Sequence, residues 1–507
     1  MSKKSPSRAA IILAASILSL CLASVAFGQG GSGSLSRDGG GVSSTISDVA
    51  GGAGQATVKR TIARRPITRT STTQRRPRPA TARQKMDADD YDDQGDKFLD
   101  AGKYQEALNA YKQAVRLKPD MADAHYSMGW IYNELNNYPQ AVDSLGQAVR
   151  YKPDYAEAQK ELGYAYRNLG KYDEAIAAYR QAIRLNPEYA QAYYELGWTF
   201  NDLKKYDQAL VPLNQAVLKK SDYAEAHNEL GYAYRKLGRY KDAIESYTEA
   251  VTLKPDYASA YFGLGDVYFY NTSQYQQAIA AYQRALNINP NNATANYNIG
   301  WSYNELKQYE QAVAALQKAI ALKADYPEAY AELGFAYRRL ERYPEAIQSY
   351  KQAINLKADY AQPYFGLGDV YYYNLQKYPE AVTAYEEALR LKPGNATANY
   401  NVGWVYNDMN RYSDAVPVLQ EAVRIKPEYA EAYNELGYAY LYMKQFQPAI
   451  GAFQQAIRIK SDYGLAHFNL GITYLSMGNK NGAMQEYRTL RTIDQQRAEK
   501  LLAEINK

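Results

Sequence analysis

From residue 88 to the C-terminal end, apolar residues recur at the spacing of amphipathic helices. Around residue 163, Leu162, Gly163 and Tyr166 fall on one face of a helix with 3.6 residues per turn. In the next segment, Ala175 and Tyr179 share a face. The pattern therefore predicts a pair of amphipathic helices in this part of the chain.

The same helix pair repeats along the chain at a fixed interval. A glycine followed by an aromatic or apolar residue recurs every 34 residues, with two steps of 35. This spacing defines twelve units over residues 88–497, and a final helix is predicted at 498–507. One pair cannot bury its apolar face alone, so the units must stack into a solenoid. The twelve glycines are Gly95, Gly129, Gly163, Gly197, Gly231, Gly265, Gly300, Gly334, Gly368, Gly403, Gly437 and Gly471.

Sequence signals also predict where the helices begin and end. Asp154 with Glu157 fits a capping box at the start of a first helix. Prolines mark the ends of second helices. The two 35-residue units contain the sequence Phe-Gly-Leu-Gly-Asp, and we expect their extra residue in the turn between the two helices. Further capping-box patterns are Asp222/Glu225 and Asp325/Glu328, and the prolines are Pro187, Pro255, Pro290 and Pro393.

These residues resemble the tetratricopeptide repeat (TPR) family. That family's pattern combines Leu-Gly, an aromatic residue, two alanines around a second aromatic residue, and a closing proline. The resemblance implies an all-α fold, a right-handed superhelical solenoid of stacked antiparallel helix pairs. It also implies a concave groove lined by the first helix of each pair. The fifth unit carries the pattern at Leu230, Gly231, Tyr234, Ala243, Tyr247, Ala250 and Pro255.

The resemblance places positions 9 and 12 of each unit, counted with the repeated glycine at position 8, in that groove. Position 9 carries mostly aromatic residues, and position 12 mostly asparagine or arginine. The candidate partner-binding residues at position 9 are Trp130, Tyr164, Trp198, Tyr232, Asp266, Trp301, Asp369, Trp404 and Tyr438. Those at position 12 are Asn133, Arg167, Asn201, Arg235, Asn304, Arg338 and Asn407.

Three interpretations of these groove residues remain open. Aromatic faces beside amides suit an extended peptide, whose backbone amides can bind. They equally suit a glycan, whose apolar sugar faces stack on rings. In the third interpretation the solenoid winds tightly and the rings cover each other.

The arginines at position 12 also allow two interpretations. They could pair with acids of adjacent units, such as Glu134, Asp202 and Glu305, in a structural ladder. Alternatively, they could form an anion site. The Lys/Asn set of the two-carboxylate clamp, known from chaperone-binding TPRs, is not found in this sequence.

Residues 1–28 have the layout of a secretory signal peptide. Lys3, Lys4 and Arg8 precede an apolar run from Ala9 to Phe27. We therefore expect an exported protein, periplasmic or extracellular; the alternative is a membrane anchor formed by an uncleaved N-terminal segment. Cys21 is the only cysteine, so no disulfide framework is expected.

Residues 29–87 are expected to be a disordered linker, rich first in Gly and Ser and then in Arg and Pro. No aromatic residue lies between Phe27 and Tyr91, so the segment has too little apolar surface to order itself. Residues 59–85 carry ten basic groups and no acid. They could contact an anionic surface or act only as a solvated spacer. Because export removes the chain from the cytoplasm, no nucleic-acid partner is expected.

Catalysis, metal binding and cofactors are not expected. His125, His227 and His467 are the only histidines, and all three fall at position 4, a core position. Carboxylates recur with the repeat, which marks them as architecture. The sequence therefore predicts a non-catalytic scaffold in the cell envelope that binds a protein or peptide partner. The alternatives are a glycan-binding module for polysaccharide assembly or export, and a self-associating structural protein.

Overall fold

The structure is a computed structural model that describes residues 86–507. Within this range the chain forms helices and turns, with no β-strand. It divides into two compact units, whose described parts are residues 86–393 and 394–507. The predictions of a signal peptide at 1–28 and a disordered linker at 29–87 lie, but for residues 86 and 87, outside the described residues.

Residues 86–393 contain nine consecutive helix pairs. In each pair the odd-numbered helix is the first helix and the even-numbered helix is the second. In the sixth and ninth pairs a one-turn π-helix continues the first helix. The helices are α1 (Ala88–Asp100), α2 (Tyr104–Leu117), α3 (Ala122–Glu134), α4 (Tyr138–Tyr151), α5 (Ala156–Asn168), α6 (Tyr172–Leu185), α7 (Ala190–Asp202), α8 (Tyr206–Lys219), α9 (Ala224–Lys236), α10 (Tyr240–Leu253), α11 (Ala258–Asp266), π1 (Val267–Asn271), α12 (Tyr275–Ile288), α13 (Ala293–Glu305), α14 (Tyr309–Leu322), α15 (Pro327–Arg339), α16 (Tyr343–Leu356), α17 (Ala361–Asp369), π2 (Val370–Asn374) and α18 (Tyr378–Leu391).

Residues 394–507 contain three more pairs and one last helix. These are α19 (Ala396–Asp408), α20 (Tyr412–Ile425), α21 (Ala430–Tyr442), α22 (Phe446–Ile459), α23 (Gly464–Ser476), α24 (Lys480–Ile493) and α25 (Gln495–Ile505). The last helix begins at Gln495, three residues before the boundary expected from the sequence. Within each unit, every first helix packs on its own second helix, and each second helix packs on the first helix that follows. The predicted all-α architecture of stacked helix pairs is confirmed.

Close approach of the two helices in a pair depends on the repeated glycine. A Cβ added to Gly163 would lie 2.7 Å from Cε1 of Tyr179, and one added to Gly197 would lie 2.5 Å from Cγ of Leu213. Both distances are far below van der Waals contact. Glycine therefore lets the large side chain of the second helix lie directly against the first helix.

Each first helix ends in a tight turn with one left-handed residue. After α5, Gly170 has a φ of 74°, its N–H donates to Arg167 O, and the N–H of Lys171 donates to Tyr166 O. This is a Schellman motif, which satisfies carbonyl groups at the helix end. At other turns a non-glycine residue such as Lys204 takes the same conformation, with a φ of 58°.

The three predicted capping boxes are wrong. Helix α5 begins at Ala156 with Tyr155 at the N-cap position, and no side chain caps it; α9 and α15 likewise begin after Tyr223 and Tyr326. The Asp of each predicted box lies one residue too early. A tyrosine takes the N-cap position because its ring packs on a tyrosine of the preceding first helix, as Tyr155 does on Tyr126 with ring centroids 4.9 Å apart.

The extra residue of the 35-residue units does not lie in the turn between helices. It lies in π1 and π2, where the helix widens by one residue. In π1 the Thr272 N–H donates to Val267 O, five residues earlier, at 3.1 Å. The Leu375 N–H does the same to Val370 O in π2. A single π-turn absorbs an inserted residue without breaking the helix.

Candidate functional site

The aromatic residues at position 9, here called the aromatic row, recur at the same place in successive first helices within each unit, and five of them pack on a tyrosine of the preceding helix pair. Tyr104, the first residue of α2, lies edge-on to Trp130 with ring centroids 6.2 Å apart. Five such contacts are described, all with centroid distances between 5.9 and 6.3 Å. The other four pairs are Tyr138–Tyr164, Tyr206–Tyr232, Tyr309–Phe335 and Tyr412–Tyr438.

All four tryptophans are half-buried after this packing. Trp198 is covered on one side by the Arg167 guanidinium, 3.5 Å from its ring centroid. Trp301 lies 5.2 Å from Phe269, and its Nε1–H donates to Glu305 at 3.1 Å. Trp404 packs on Tyr400 at 5.5 Å. Neighbouring rings therefore cover part of each indole and leave the rest at the surface.

The asparagines at position 12 are buried and join consecutive pairs. The Nδ2 of Asn201 donates to both the main-chain O and Oε2 of Glu229, at 3.1 and 2.9 Å. The same pair of hydrogen bonds is made at three other places, always to a glutamate 28 residues further along the chain. Those pairs are Asn133–Glu161, Asn304–Glu332 and Asn407–Glu435.

Each of these asparagines leaves its Oδ1 without a hydrogen-bond partner among the described residues. The four atoms belong to Asn133, Asn201, Asn304 and Asn407, which are at most 4% exposed. A buried acceptor without a donor is unfavourable by about 1–3 kcal/mol.

Two of the partner glutamates have strongly perturbed acidity. Burial raises the pKa of Glu229 to about 7, although the hydrogen bond from Asn201 acts in the opposite direction. Burial likewise raises the pKa of Glu435 to about 7, against the bond from Asn407. The contacts between consecutive helix pairs are called joints below. The joints at Glu229 and Glu435 therefore each contain a carboxyl group that titrates near neutral pH.

The arginines at position 12 pair with acids of the next helix pair. Arg235 lies 3.2 Å from Asp266 Oδ2, and Arg338 lies 3.2 Å from Asp369 Oδ2. Arg167 lies 3.5 Å from Asp202 and 4.0 Å from Glu195. This geometry agrees with the interpretation of the arginines as a structural ladder. Of the three acids that the sequence suggested as partners, Asp202 pairs with an arginine.

Asp266 and Asp369 are buried in small networks rather than presented to a ligand. Asp266 Oδ1 accepts from the Tyr282 hydroxyl at 2.8 Å, and Asp369 Oδ1 accepts from Tyr385 at 2.8 Å. Burial raises the pKa of both carboxyls, and the paired arginines oppose that effect. In these units a Gly replaces Glu at position 6, so the preceding tyrosine can lie close to the helix, as Tyr247 does at Gly263.

The candidate groove residues therefore fall into two classes. The rings at position 9 are half-buried, whereas the amides and charges at position 12, with Asp266 and Asp369, are engaged by neighbouring helix pairs. Sequence reasoning missed the glutamates at 161, 229, 332 and 435. Their signal was the constant interval of 28 residues from each asparagine.

The histidines lie in packed positions. His467 is 7% exposed, and its Nδ1 is 2.6 Å from Glu486, which raises the His467 pKa. His125 stacks on Tyr151. Among residues 86–507, no group of three His, Cys, Asp or Glu side chains is arranged to hold a metal ion. In the same part of the chain, no helix has the length and apolar character required to cross a membrane.

Repeat-family models match the chain throughout its helical part. Four models match, one described as TPR repeat and three as tetratricopeptide repeat. The first matches residues 95–132, 231–271, 269–306, 300–341 and 336–374. The others match residues 128–177, 160–225, 365–430, 430–463 and 465–497. The chain therefore belongs to the TPR family, as its sequence pattern indicated.

The chain is also similar to several solved structures. MamA is 28% identical, with a match that covers 32% of this chain and 96% of that chain at a TM-score of 0.31. YrrB, described as a TPR protein with an unusual peptide-binding site, is 23% identical, covers 37% and 97%, and has a TM-score of 0.34. Yeast Tom70 is 16% identical, covers 82% and 94%, and has a TM-score of 0.34. No curated protein sequence matches the chain.

Proposed function

We propose that this TPR protein is a non-catalytic scaffold that binds an extended peptide or partner protein through its first helices. Membership of the TPR family supports a protein-interaction scaffold. The observation that carries the finer proposal is the repeated set of a half-buried tryptophan with an asparagine three residues later. This set occurs at Trp130/Asn133, Trp198/Asn201, Trp301/Asn304 and Trp404/Asn407.

An extended peptide fits the chemistry of this set. The remaining face of each indole can pack on an apolar side chain. The asparagine is buried and bonded to the glutamate of the next helix pair, so it supports the first helix that carries the indole. In this proposal Nδ2 stays bonded to the glutamate, so the hydrogen bonds between helix pairs fix the position of the indole before the ligand arrives.

The test is a comparison of two full-length variants with the native chain. One variant changes Trp130, Trp198, Trp301 and Trp404 to Ala, and the matched control changes the same four residues to Phe, which keeps a ring. Circular dichroism first verifies that all three fold. Each protein is then applied to a peptide array and to an oligosaccharide array.

We expect the native chain to bind peptides, the Phe variant to keep most of that binding, and the Ala variant to lose it by tenfold or more. Binding to oligosaccharides alone would replace the peptide proposal with the glycan-binding alternative. Equal binding by the native chain and the Ala variant would contradict a role for this row.

We also propose that the scaffold works in the cell envelope. The support is the N-terminal sequence, in which Lys3, Lys4 and Arg8 precede an apolar run. Cell fractionation with N-terminal sequencing of the mature protein tests this proposal. A periplasmic or extracellular protein cleaved near Gly28 is expected, an uncleaved membrane-bound form would support the anchor alternative, and a cytoplasmic form would contradict export.

A further inference from the structure

A second surface with binding character lies between helices α6 and α8. The two second helices form the walls of a groove of about 790 Å³, and α7 forms its floor. Leu196 and Phe200 contribute the buried floor. On α7 these residues lie well around the helix from Trp198 and Asn201, so the groove is distinct from the aromatic row.

The apolar wall of this groove is exposed to an unusual degree. Val211, which lines the groove on α8, is 70% exposed. Leu218 lies beyond the groove lining, two turns further along the same face of α8, and is 71% exposed. They are the two most exposed large hydrophobic side chains in the described part of the chain. Isolated exposed hydrophobic residues are ordinary, but a pair that continues an apolar groove marks a contact surface.

The other helix pairs do not share this feature. At the position of Val211, every other second helix has a polar residue, Ala, Gly or Pro. At the position of Leu218, every other second helix has Arg, Asn, Thr or Ala; the preceding pair has Arg184 there. Repeat packing therefore does not require apolar residues at these positions, and α8 carries both.

The charge on the groove is basic. Arg180 and Arg184 line the α6 wall, and no acidic residue lines the groove. The structure gives neither arginine an ion pair within residues 86–507. Nearby Lys219, in contrast, is paired with Glu188 at 2.6 Å. The arginines are four residues apart on one helix, so they present two guanidinium groups on the same side.

We infer that this groove is a second binding site, which takes an acidic amphipathic helix of a partner protein. Apolar residues of such a helix would cover Val211 and Leu218 and enter the groove, and its carboxylates would pair with Arg180 and Arg184. The chain's own residues 59–85 do not suit the site, because ten basic groups without an acid would be repelled by the two arginines.

The test starts with a library of random 16-residue peptides displayed on phage. The library is selected on the full chain after depletion on a full-length Val211→Ser/Leu218→Ser variant. Both substitutions are at exposed positions, so this variant should fold. We expect the recovered peptides to combine Glu or Asp with apolar residues spaced by three and four. A recovered pool without acidic residues, or no recovered peptide, would overturn the inference.

One recovered peptide, labelled with fluorescein, is then measured by fluorescence anisotropy. We expect affinity to fall at least tenfold for Val211→Ser/Leu218→Ser and for Arg180→Glu/Arg184→Glu. A matched variant at another exposed leucine, Leu322→Ser, and the Trp198→Ala variant should bind as the native chain does. Equal binding by the groove variants, or loss of binding in Trp198→Ala, would place the peptide elsewhere and overturn the inference.

Two further measurements separate the other occupants. Sedimentation of the native chain that shows self-association abolished by Val211→Ser/Leu218→Ser would identify a second copy as the occupant. Flotation with phosphatidylglycerol vesicles that is abolished by the same variant would identify a lipid surface. Either result would overturn the acidic-helix inference.

Discussion

At the scale of residues, the helix pairs differ at a small set of positions whose residue types vary together. Where position 9 is Trp, position 12 is Asn and the second helix presents Leu to the repeated glycine, as Leu213 does at Gly197. Where position 9 is Asp, the second helix presents a tyrosine whose hydroxyl donates to that carboxylate, as Tyr282 does to Asp266. The residue that the second helix places against the first helix therefore varies with the residue at position 9.

The repeated glycine gives a direct test at this scale. In Gly163→Ala, the new Cβ would lie 2.7 Å from Tyr179, a ring fixed in the core, so the helices must separate or the ring must move. We expect a loss of stability of about 1–3 kcal/mol. The measurement is the urea concentration at the midpoint of unfolding of the full chain, with unfolding monitored by circular dichroism.

Gly146 provides the control for that substitution. It lies inside α4, and an added Cβ would meet nothing within 4 Å. Gly146→Ala should therefore stabilise the protein by about 0.5–1 kcal/mol, because alanine favours the helix. If both substitutions changed the midpoint in the same direction, close approach at Gly163 would not be the reason for its glycine.

At the scale of elements, the joints between helix pairs are polar as well as apolar. The asparagine of one first helix reaches the glutamate of the next, and a tyrosine at the N-cap of a first helix packs on the preceding first helix. Tyr223 packs in this way on Tyr194 at 5.0 Å, with Lys220 over its ring at 4.8 Å. The joints therefore set which face of each helix meets its neighbour.

Two of these joints should make stability depend on pH. Glu229 and Glu435 have folded pKa values of about 7, above the ordinary glutamate value of 4.5. A raised folded pKa means that the stabilising form is protonated. Its contribution is present below pH 4.5 and is lost as pH rises through 7. We expect unfolding free energy to fall between pH 5 and pH 8 by about 2–3 kcal/mol per group at most.

The matching variant is Glu229→Gln/Glu435→Gln, which imitates the protonated side chains. Urea unfolding of both full-length proteins at pH 5, 6, 7 and 8 should show a smaller decline for the variant. The titration of His467 acts in the same direction but is common to both proteins, so it cancels in the comparison. Parallel pH profiles would show that the two glutamates titrate outside this range.

At the scale of the whole molecule, the repeat organisation limits how far a perturbation should travel. Within each of the two units, each helix pair contacts its neighbours in sequence, so stability is approximately a sum over pairs and joints. In residues 394–507, helix α25 covers the last pair; Leu501 is fully buried there and lies against Gly471. Loss of this cover should affect the last pair first.

We therefore expect Leu501→Ala to destabilise the end of the array locally. Removal of a buried leucine side chain lowers stability by about 2–5 kcal/mol. Hydrogen exchange should accelerate in α23 and α24 and remain unchanged in α19 and α20. Gln496→Ala, at an exposed position of the same helix, is the control. Equal acceleration in all these helices would show all-or-none unfolding of residues 394–507.

The sequence by itself determined the fold and its period. Glycine, the small alanines and the large aromatic residues recur at fixed intervals, and the helical spacing of apolar positions is a local property that can be read without neighbours. The ends of second helices were equally accessible, since Pro187 and Pro255 lie two residues after α6 and α10 end. The groove position of the tryptophans came from the family resemblance and stays a prediction.

Tertiary structure decided what each polar residue contacts. The N-cap tyrosines displaced the expected capping boxes because a ring contact with the preceding helix outweighs a local hydrogen bond. The asparagines, arginines and aspartates of the predicted groove bond to residues 28 to 35 positions away, as Asn201 does to Glu229 and Arg167 to Asp202. The groove beside Val211 depends on three helices at once. Such contacts form only when the pairs stack, so local spacing alone cannot specify them.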